Sequence, residues 1–104
     1  MTNSEFKAQI AEWKALIEGA NIRLPGNRPV PDKFFHVFLG IGSSTFRKMI
    51  NGQDSMRVVQ HYTARTVHFI NQLAPEVFLR EVQSTIPEYM KLYHSNQKQS
   101  EKDR

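Results

Sequence analysis

The chain has 104 residues, of which 39% are hydrophobic and 23% are charged, which suits one small domain with a modest core. It contains no cysteine, which excludes disulfides and thiolate metal sites, and it has no apolar run near the roughly 20 residues that cross a bilayer. The net charge of +4 favours an anionic partner such as nucleic acid. The N-terminal residues do not form a signal peptide, so we expect a cytoplasmic protein without membrane contact.

The first predicted element is an amphipathic helix over residues 4–18. Ser4 can cap its N-terminus, and apolar residues recur every three or four positions along it. Residues 19–31 contain three prolines and two glycines, which predicts a loop. The apolar stripe of the helix consists of Phe6, Ile10, Trp13 and Ile17, widened by Leu16.

Two short helices and one long helix are predicted next. The short helices cover residues 31–39 and 43–51, and Gly40 ends the first of them because a left-handed backbone is cheap only without a Cβ. The long helix covers residues 54–73. Its predicted inward face consists of Val59, Tyr62, Thr66, Phe69, Ile70 and Leu73.

Two prolines divide the C-terminal part of the sequence. Pro75 and Pro87 each stand where a helix can begin, which predicts two further short helices. Residues 95–104 contain no hydrophobic residue, which predicts a disordered polar tail. Residues 1–94 are therefore predicted to form one all-α domain of five to six helices, with no strands.

Residues 39–52, LGIGSSTFRKMING, combine turn and helix signals with positive charge. Short polar side chains at a helix N-terminus, followed by two cations one turn later, fit an α-helix that enters the major groove of DNA. No acidic residue occurs between residues 34 and 53 to oppose the phosphates. The residues predicted to face inward are Leu39, Ile41, Phe46 and Met49. Those predicted to face outward are Ser43, Ser44, Arg47 and Lys48.

The same residues resemble the helix-turn-helix of lambda-repressor-like (Cro/CI-type, XRE-type) transcriptional regulators. The resemblance spans roughly residues 31–74, with the motif itself at about 32–51, and it implies that residues 54–73 complete the core. Regulators of this type occur in phages, plasmids and other mobile elements. The matching positions are Leu39, Gly40, Ile41, Ser44, Thr45, Phe46, Arg47 and Gly52.

The sequence departs from this pattern at several positions. His36 stands where such regulators usually have a small residue at the closest contact between the two helices. Met49 replaces the usual aromatic residue, and Ile50 replaces the usual acidic one. The proline that commonly follows the final glycine is absent from residues 53–56.

The sequence and the resemblance together predict a sequence-specific DNA-binding regulator that acts as a repressor. One recognition helix reads too few base pairs for a unique site, so we expect a homodimer on an inverted repeat of double-stranded DNA. Residues 1–18 and the helices after Pro75 are the candidate dimer surfaces. The predicted DNA-binding residues are Ser43, Ser44, Thr45, Arg47, Lys48 and Asn51, with Lys33 and Arg57 flanking them.

The alternative is a protein-interaction module, for example an antitoxin, in which aromatic surfaces at Trp13 or at residues 89–93 bind a partner protein. Catalysis is not expected, because no serine stands in the context of an activated nucleophile. A metal site is not expected either, since His61 and His68 are seven residues apart on one helix, too far to chelate one ion directly. No cofactor is predicted.

Overall fold

The computed structural model describes residues 1–51 and 61–102, with side chains up to residue 93. These residues form a compact globule of helices, which confirms the all-α part of the predicted fold class, and the one strand-like feature among them is an isolated antiparallel bridge between Leu24 and Arg28. None of the helices in this part of the chain is long and apolar enough to cross a membrane. The five helices are α1 (Asn3–Gly19), α2 (Phe34–Leu39), α3 (Ser43–Asn51), α4 (His61–Asn71) and α5 (Pro75–Lys102).

α1 begins one residue earlier than predicted, at Asn3, and its N-cap is Thr2 and not Ser4. The Thr2 hydroxyl accepts a hydrogen bond from the Glu5 amide at 3.1 Å, and the Thr2 amide donates to Glu5 Oε1 at 2.8 Å. This reciprocal capping box satisfies two amides that the helix itself leaves without partners, and it holds the pKa of the Glu5 carboxyl below its usual value. The predicted apolar stripe of α1 is buried, whereas Leu16 beside it stays exposed.

Trp13 on α1 lies at the centre of the core. Its ring lies 5.9 Å from Phe35 on α2 and 5.7 Å from Phe78 on α5, measured between centroids. The indole N–H is not left unsatisfied, because it donates to Asn71 Oδ1 on α4 at 3.1 Å. One side chain therefore connects four of the five helices.

The loop between α1 and α2 adds three buried residues to the core, and α2 begins later in the sequence than predicted. The loop reverses at Gly26 and Asn27, both of which have positive φ. Pro31 and Asp32 accept i→i−3 hydrogen bonds from the first amides of α2, so the predicted helix 31–39 begins with a tight turn and becomes α-helical at Phe34. The buried loop residues are Ile22, Leu24 and Val30.

The predicted inward face of the fourth helix is only partly correct: Ile70 packs against the core, but the largest predicted residues do not. Thr63 and Val67 are buried, whereas Tyr62 and Phe69 are 59% and 57% exposed. α4 packs on α2 through its small side chains, because these allow a close approach to the large aromatic core. Its bulky residues Tyr62 and Phe69 stay exposed. Residues 52–60, which include the first part of the predicted helix and Val59, lie outside the described residues.

α5 is one helix where two helices and a disordered tail were predicted. Pro87 lies inside it, and the buried residues Phe78, Val82 and Tyr89 continue on one face past the proline. The helix then runs on to Lys102, through most of the segment predicted to be disordered. Extending a helix that is already packed does not repeat the cost of nucleation, and Gln, Lys and Glu are good helix formers.

Candidate nucleic-acid interface

A three-residue turn, residues 40–42, joins α2 to α3. Gly40 has φ 73° and ψ 32°, the predicted left-handed conformation, and its amide bonds back to the carbonyls of His36 and Val37. The Ile41 amide donates to the His36 carbonyl at 2.9 Å, and the Phe46 amide donates to the Gly42 carbonyl at 3.0 Å. The turn is therefore held by backbone hydrogen bonds at both ends.

α3 is anchored along its inner face and at its C-terminal end. Phe46 and Met49 are buried as predicted, and the Phe46 ring meets Phe6 of α1 edge-on at 5.8 Å. The Asn3 side chain donates to the Met49 carbonyl at 2.7 Å, which satisfies a carbonyl that the helix end leaves open. Sequence reasoning missed Asn3, because its partner lies 46 residues away and no local pattern predicts the contact.

The predicted DNA-binding residues of α3 lie on its outer surface in two stripes. Residues four apart on a helix lie above one another, so Ser44 and Lys48 form one stripe, here named the outer stripe. The second stripe, named the cleft stripe, consists of Ser43, Arg47 and Asn51. All members of both stripes are exposed, Thr45 is half-buried, and α3 contains no acidic residue.

His36, the departure from the small residue usual at this position, connects the turn to α5. It is buried, its Nδ1 lies 3.0 Å from the Ile41 carbonyl oxygen, and its Nε2 pairs with the Tyr93 hydroxyl. A carbonyl oxygen only accepts, so Nδ1 carries the hydrogen, and in the neutral ring Nε2 accepts from the Tyr93 O–H. The larger side chain therefore provides a hydrogen-bonded link where a small residue would provide only close packing.

Lys33 does not lie on the same surface as the outer stripe. Its Nζ is 4.5 Å from the centroid of the Tyr93 ring, which is a cation–π contact between the N-cap of α2 and the middle of α5. It lies instead beside a cleft of about 470 Å³ that opens between α2, α3 and α5. The cleft stripe lines the same cleft, so the structure places Lys33 and Arg47 at one cleft that Lys48 does not line.

One predicted DNA-binding residue has no described position. Arg57 lies outside the described residues. In the part of the chain that the structure describes, no group of three His, Asp or Glu side chains could hold a metal ion.

The burial of aromatic residues limits which of the predicted interaction surfaces a partner protein could contact. Trp13 and Tyr89 are 2% and 3% exposed, so neither ring is available to a partner protein. The large apolar side chains that stay exposed on α4 and just after it are here named the lateral stripe: Tyr62 and Phe69 on the helix, and Leu73 two residues beyond its end. Comparison of the chain with protein-family models, with curated proteins and with solved structures found no match.

Proposed function

We propose that the protein is a sequence-specific DNA-binding regulator that places α3 in the major groove. The observation that carries this proposal is the outer surface of α3, which has two cations, short polar side chains and no acidic residue. Nine residues of α-helix are about 13 Å long, close to the roughly 12 Å width of the groove, so α3 can contact a few consecutive base pairs. As a repressor, the protein would act by occupying its site.

The way α3 is mounted supports the same proposal. Reading base edges requires a helix whose position is set before DNA arrives, and α3 is anchored on its inner face by Phe46 and Met49 and at its end by Asn3. In this arrangement Ser44 and Lys48 are the side chains most available to bases. Ser43 and Arg47, one stripe over, are suited to the phosphates at the edge of the groove.

We expect the DNA-bound form to be a homodimer with the lateral stripe of α4 at its interface. Residues 1–18 and the helices after Pro75 were the predicted dimer surfaces, and most of their large apolar side chains pack in the core, with Leu16 and Leu92 left exposed. The lateral stripe carries three of the large apolar side chains that remain exposed in the described residues. Two copies related by a dyad would place their α3 helices about 34 Å apart, which predicts an inverted-repeat operator.

Selection of bound sequences from random DNA tests the proposal. We expect an enriched inverted repeat, and we expect the double variant Arg47→Ala, Lys48→Ala to lose specific binding while keeping its helical circular dichroism and melting temperature. The matched control is Lys7→Ala, Arg80→Ala, which removes two exposed cations from α1 and α5. If no site is enriched, or if both double variants bind alike, α3 is not a recognition helix.

The second candidate function is a protein-interaction module, and the lateral stripe favours it. Exposed aromatic residues next to an arginine are enriched at protein interfaces, and Arg65 lies over the Phe69 ring at 5.2 Å. The two functions differ in what Phe69→Ser removes. It weakens operator binding through the dimer if the first proposal holds, and it affects only the capture of a partner protein if the second one holds.

A further inference from the structure

We propose that the cleft between α2, α3 and α5 binds a small organic anion, a phosphate or carboxylate group on a planar apolar body. The binding site itself goes beyond the proposed DNA recognition. Its regulatory consequence, a DNA affinity that depends on this anion, rests on the proposed function.

Two cations from different parts of the chain line the cleft. Lys33 is held there by its contact with the Tyr93 ring, and Arg47 reaches it from α3. Neither Lys33 nor Arg47 forms an ion pair with a carboxylate of the described residues, whereas Lys14 pairs with Asp32 and Arg23 pairs with Glu18. Two cations that line one cleft without a carboxylate partner among the described residues attract an anionic group.

Neutral donors and one acidic residue complete the polar lining. Ser43 and Asn51 lie one turn before and one turn after Arg47, so a hydroxyl and an amide flank the guanidinium. Asp32 is the one acidic side chain that lines the cleft. Its carboxylate lies 2.8 Å from Lys14 Nζ of α1, so its negative charge is already compensated.

The remaining lining is apolar and defines the body of the ligand. Phe46 and Ile50 provide an aromatic and an aliphatic surface, and Tyr93 provides a ring whose position is fixed by its hydrogen bond to His36. The volume of about 470 Å³ lies within the range of roughly 300 to 1,000 Å³ that is typical of small-molecule sites. A charged group between Lys33 and Arg47 leaves an attached ring against Ile50 and Tyr93.

Arg47 belongs both to this cleft and to the proposed DNA-binding surface. An anion bound between Lys33 and Arg47 engages a side chain that a DNA phosphate would otherwise use. The two ligands are therefore expected to compete, and each lowers the affinity for the other by the same factor.

The first experiment measures the anion without DNA. We expect phenyl phosphate to bind the full chain saturably in isothermal titration, with a dissociation constant in the millimolar range or below, and we expect phenol not to bind. Lys33→Gln and Arg47→Gln should each weaken binding about ten-fold, whereas Lys48→Gln, the matched control on the outer stripe, should not. Absence of saturable binding, or equal effects of all three substitutions, would overturn the proposal.

The second experiment identifies the source of the anionic group. If a small molecule is the natural ligand, Lys33→Gln removes the inhibition of operator binding by phenyl phosphate at constant ionic strength. If the group is a DNA phosphate, Lys33→Gln weakens binding to all sequences and lowers the salt slope by about one. If Lys33→Gln matches the wild type both in its inhibition by phenyl phosphate and in its DNA affinity and salt slope, the proposed binding site is wrong. A wild type that binds phenyl phosphate but no DNA leaves the cleft intact and rejects the proposed function.

Discussion

Gly40 shows how a single residue determines the turn between α2 and α3. Its φ of 73° lies in the left-handed region, and no heavy atom of the described residues beyond its two chain neighbours lies within 4 Å of the position that a Cβ would occupy. A side chain at this position is therefore opposed by the backbone conformation alone and meets no steric clash. Gly19 has the same empty surroundings but no positive φ, which makes it a matched control.

We predict that Gly40→Ala lowers the free energy of unfolding by about 1 kcal/mol, because an L-residue is strained in the left-handed region. Gly19→Ala, at the last residue of α1, should instead raise it by about 0.5 kcal/mol, since alanine is the better helix former. Urea denaturation followed by circular dichroism measures both. Equal effects of the two substitutions would show that the left-handed conformation of Gly40 is not required.

Tyr89 provides a prediction about pH. Burial raises the pKa of its phenol, the neighbouring Tyr93 raises it further, and Arg28 lowers it in part. The folded protein therefore keeps a proton that the unfolded chain releases at a pH of about 10. The stability that depends on this proton is complete below that pH and is lost as the pH rises through the higher pKa of the folded state.

The melting temperature of the wild type should fall on moving from neutral pH to above about pH 10, and Tyr89→Phe should reduce this fall. Thermal melts over a pH series measure the effect. Tyr62→Phe, which removes an exposed phenol, serves as the control and should follow the wild type. If Tyr89→Phe loses as much stability in alkali as the wild type, burial of the phenol does not contribute to the pH dependence.

At the scale of elements, the hydrogen bond between His36 and Tyr93 joins α2 to α5. The Tyr93 ring also stacks on Tyr89 with centroids 4.9 Å apart and carries Lys33 on one face. A phenylalanine at position 93 preserves both ring contacts and removes only the hydroxyl. The contribution of that hydroxyl can therefore be measured separately from the packing.

We predict that Tyr93→Phe costs about 1 kcal/mol of stability at neutral pH, because it leaves the buried Nε2 of His36 without a partner. In the double variant His36→Ala, Tyr93→Phe, the second substitution should cost much less than it does alone, which a double-mutant cycle in urea measures. Additive costs of the two substitutions would mean that the hydroxyl and the imidazole do not interact.

At the scale of the whole molecule, the lateral stripe determines the expected oligomeric state. Three partly exposed side chains cover less than the roughly 800 Å² per partner of a standard interface. We therefore expect a weak dimer that depends on concentration and that operator DNA strengthens by holding two copies together.

Sedimentation equilibrium should show a monomer–dimer equilibrium for the wild type, and Phe69→Ser should weaken it at least about ten-fold, since burial of a phenylalanine contributes about 2 kcal/mol. Leu16→Ser, which changes an exposed apolar residue of α1, is the matched control and should leave it unchanged. A wild type that stays monomeric both alone and on operator DNA would reject the homodimer.

Local patterns in the sequence predicted the elements around the turn with little error. The spacing of Phe6, Ile10, Trp13 and Ile17 identified the buried face of α1, and Phe46 and Met49 identified that of α3. Gly40 predicted a left-handed residue at the end of α2. These features depend on interactions within one or two helical turns, which a linear pattern records.

Only the tertiary structure decided which of two possible faces of a helix is buried, because the contacting residues are distant in the sequence. α4 has a bulky stripe and a small-residue stripe, and only the packing against α2 selects the small one for burial. Pro87 is compatible both with the start of a helix and with the interior of one, and the buried residues on either side of it decide for the interior.

In the candidate site, too, some features follow from the local sequence and others only from the tertiary structure. The sequence by itself determined that α3 presents Ser43, Ser44, Arg47 and Lys48 on its surface, because helical spacing decides which residues face outward. Only the tertiary structure separated Arg47 from Lys48, because the cleft beside Arg47 exists where α5 brings Tyr93 to His36, 57 residues away along the chain. A contact over that distance depends on how all five helices pack, and no local pattern of residues encodes it.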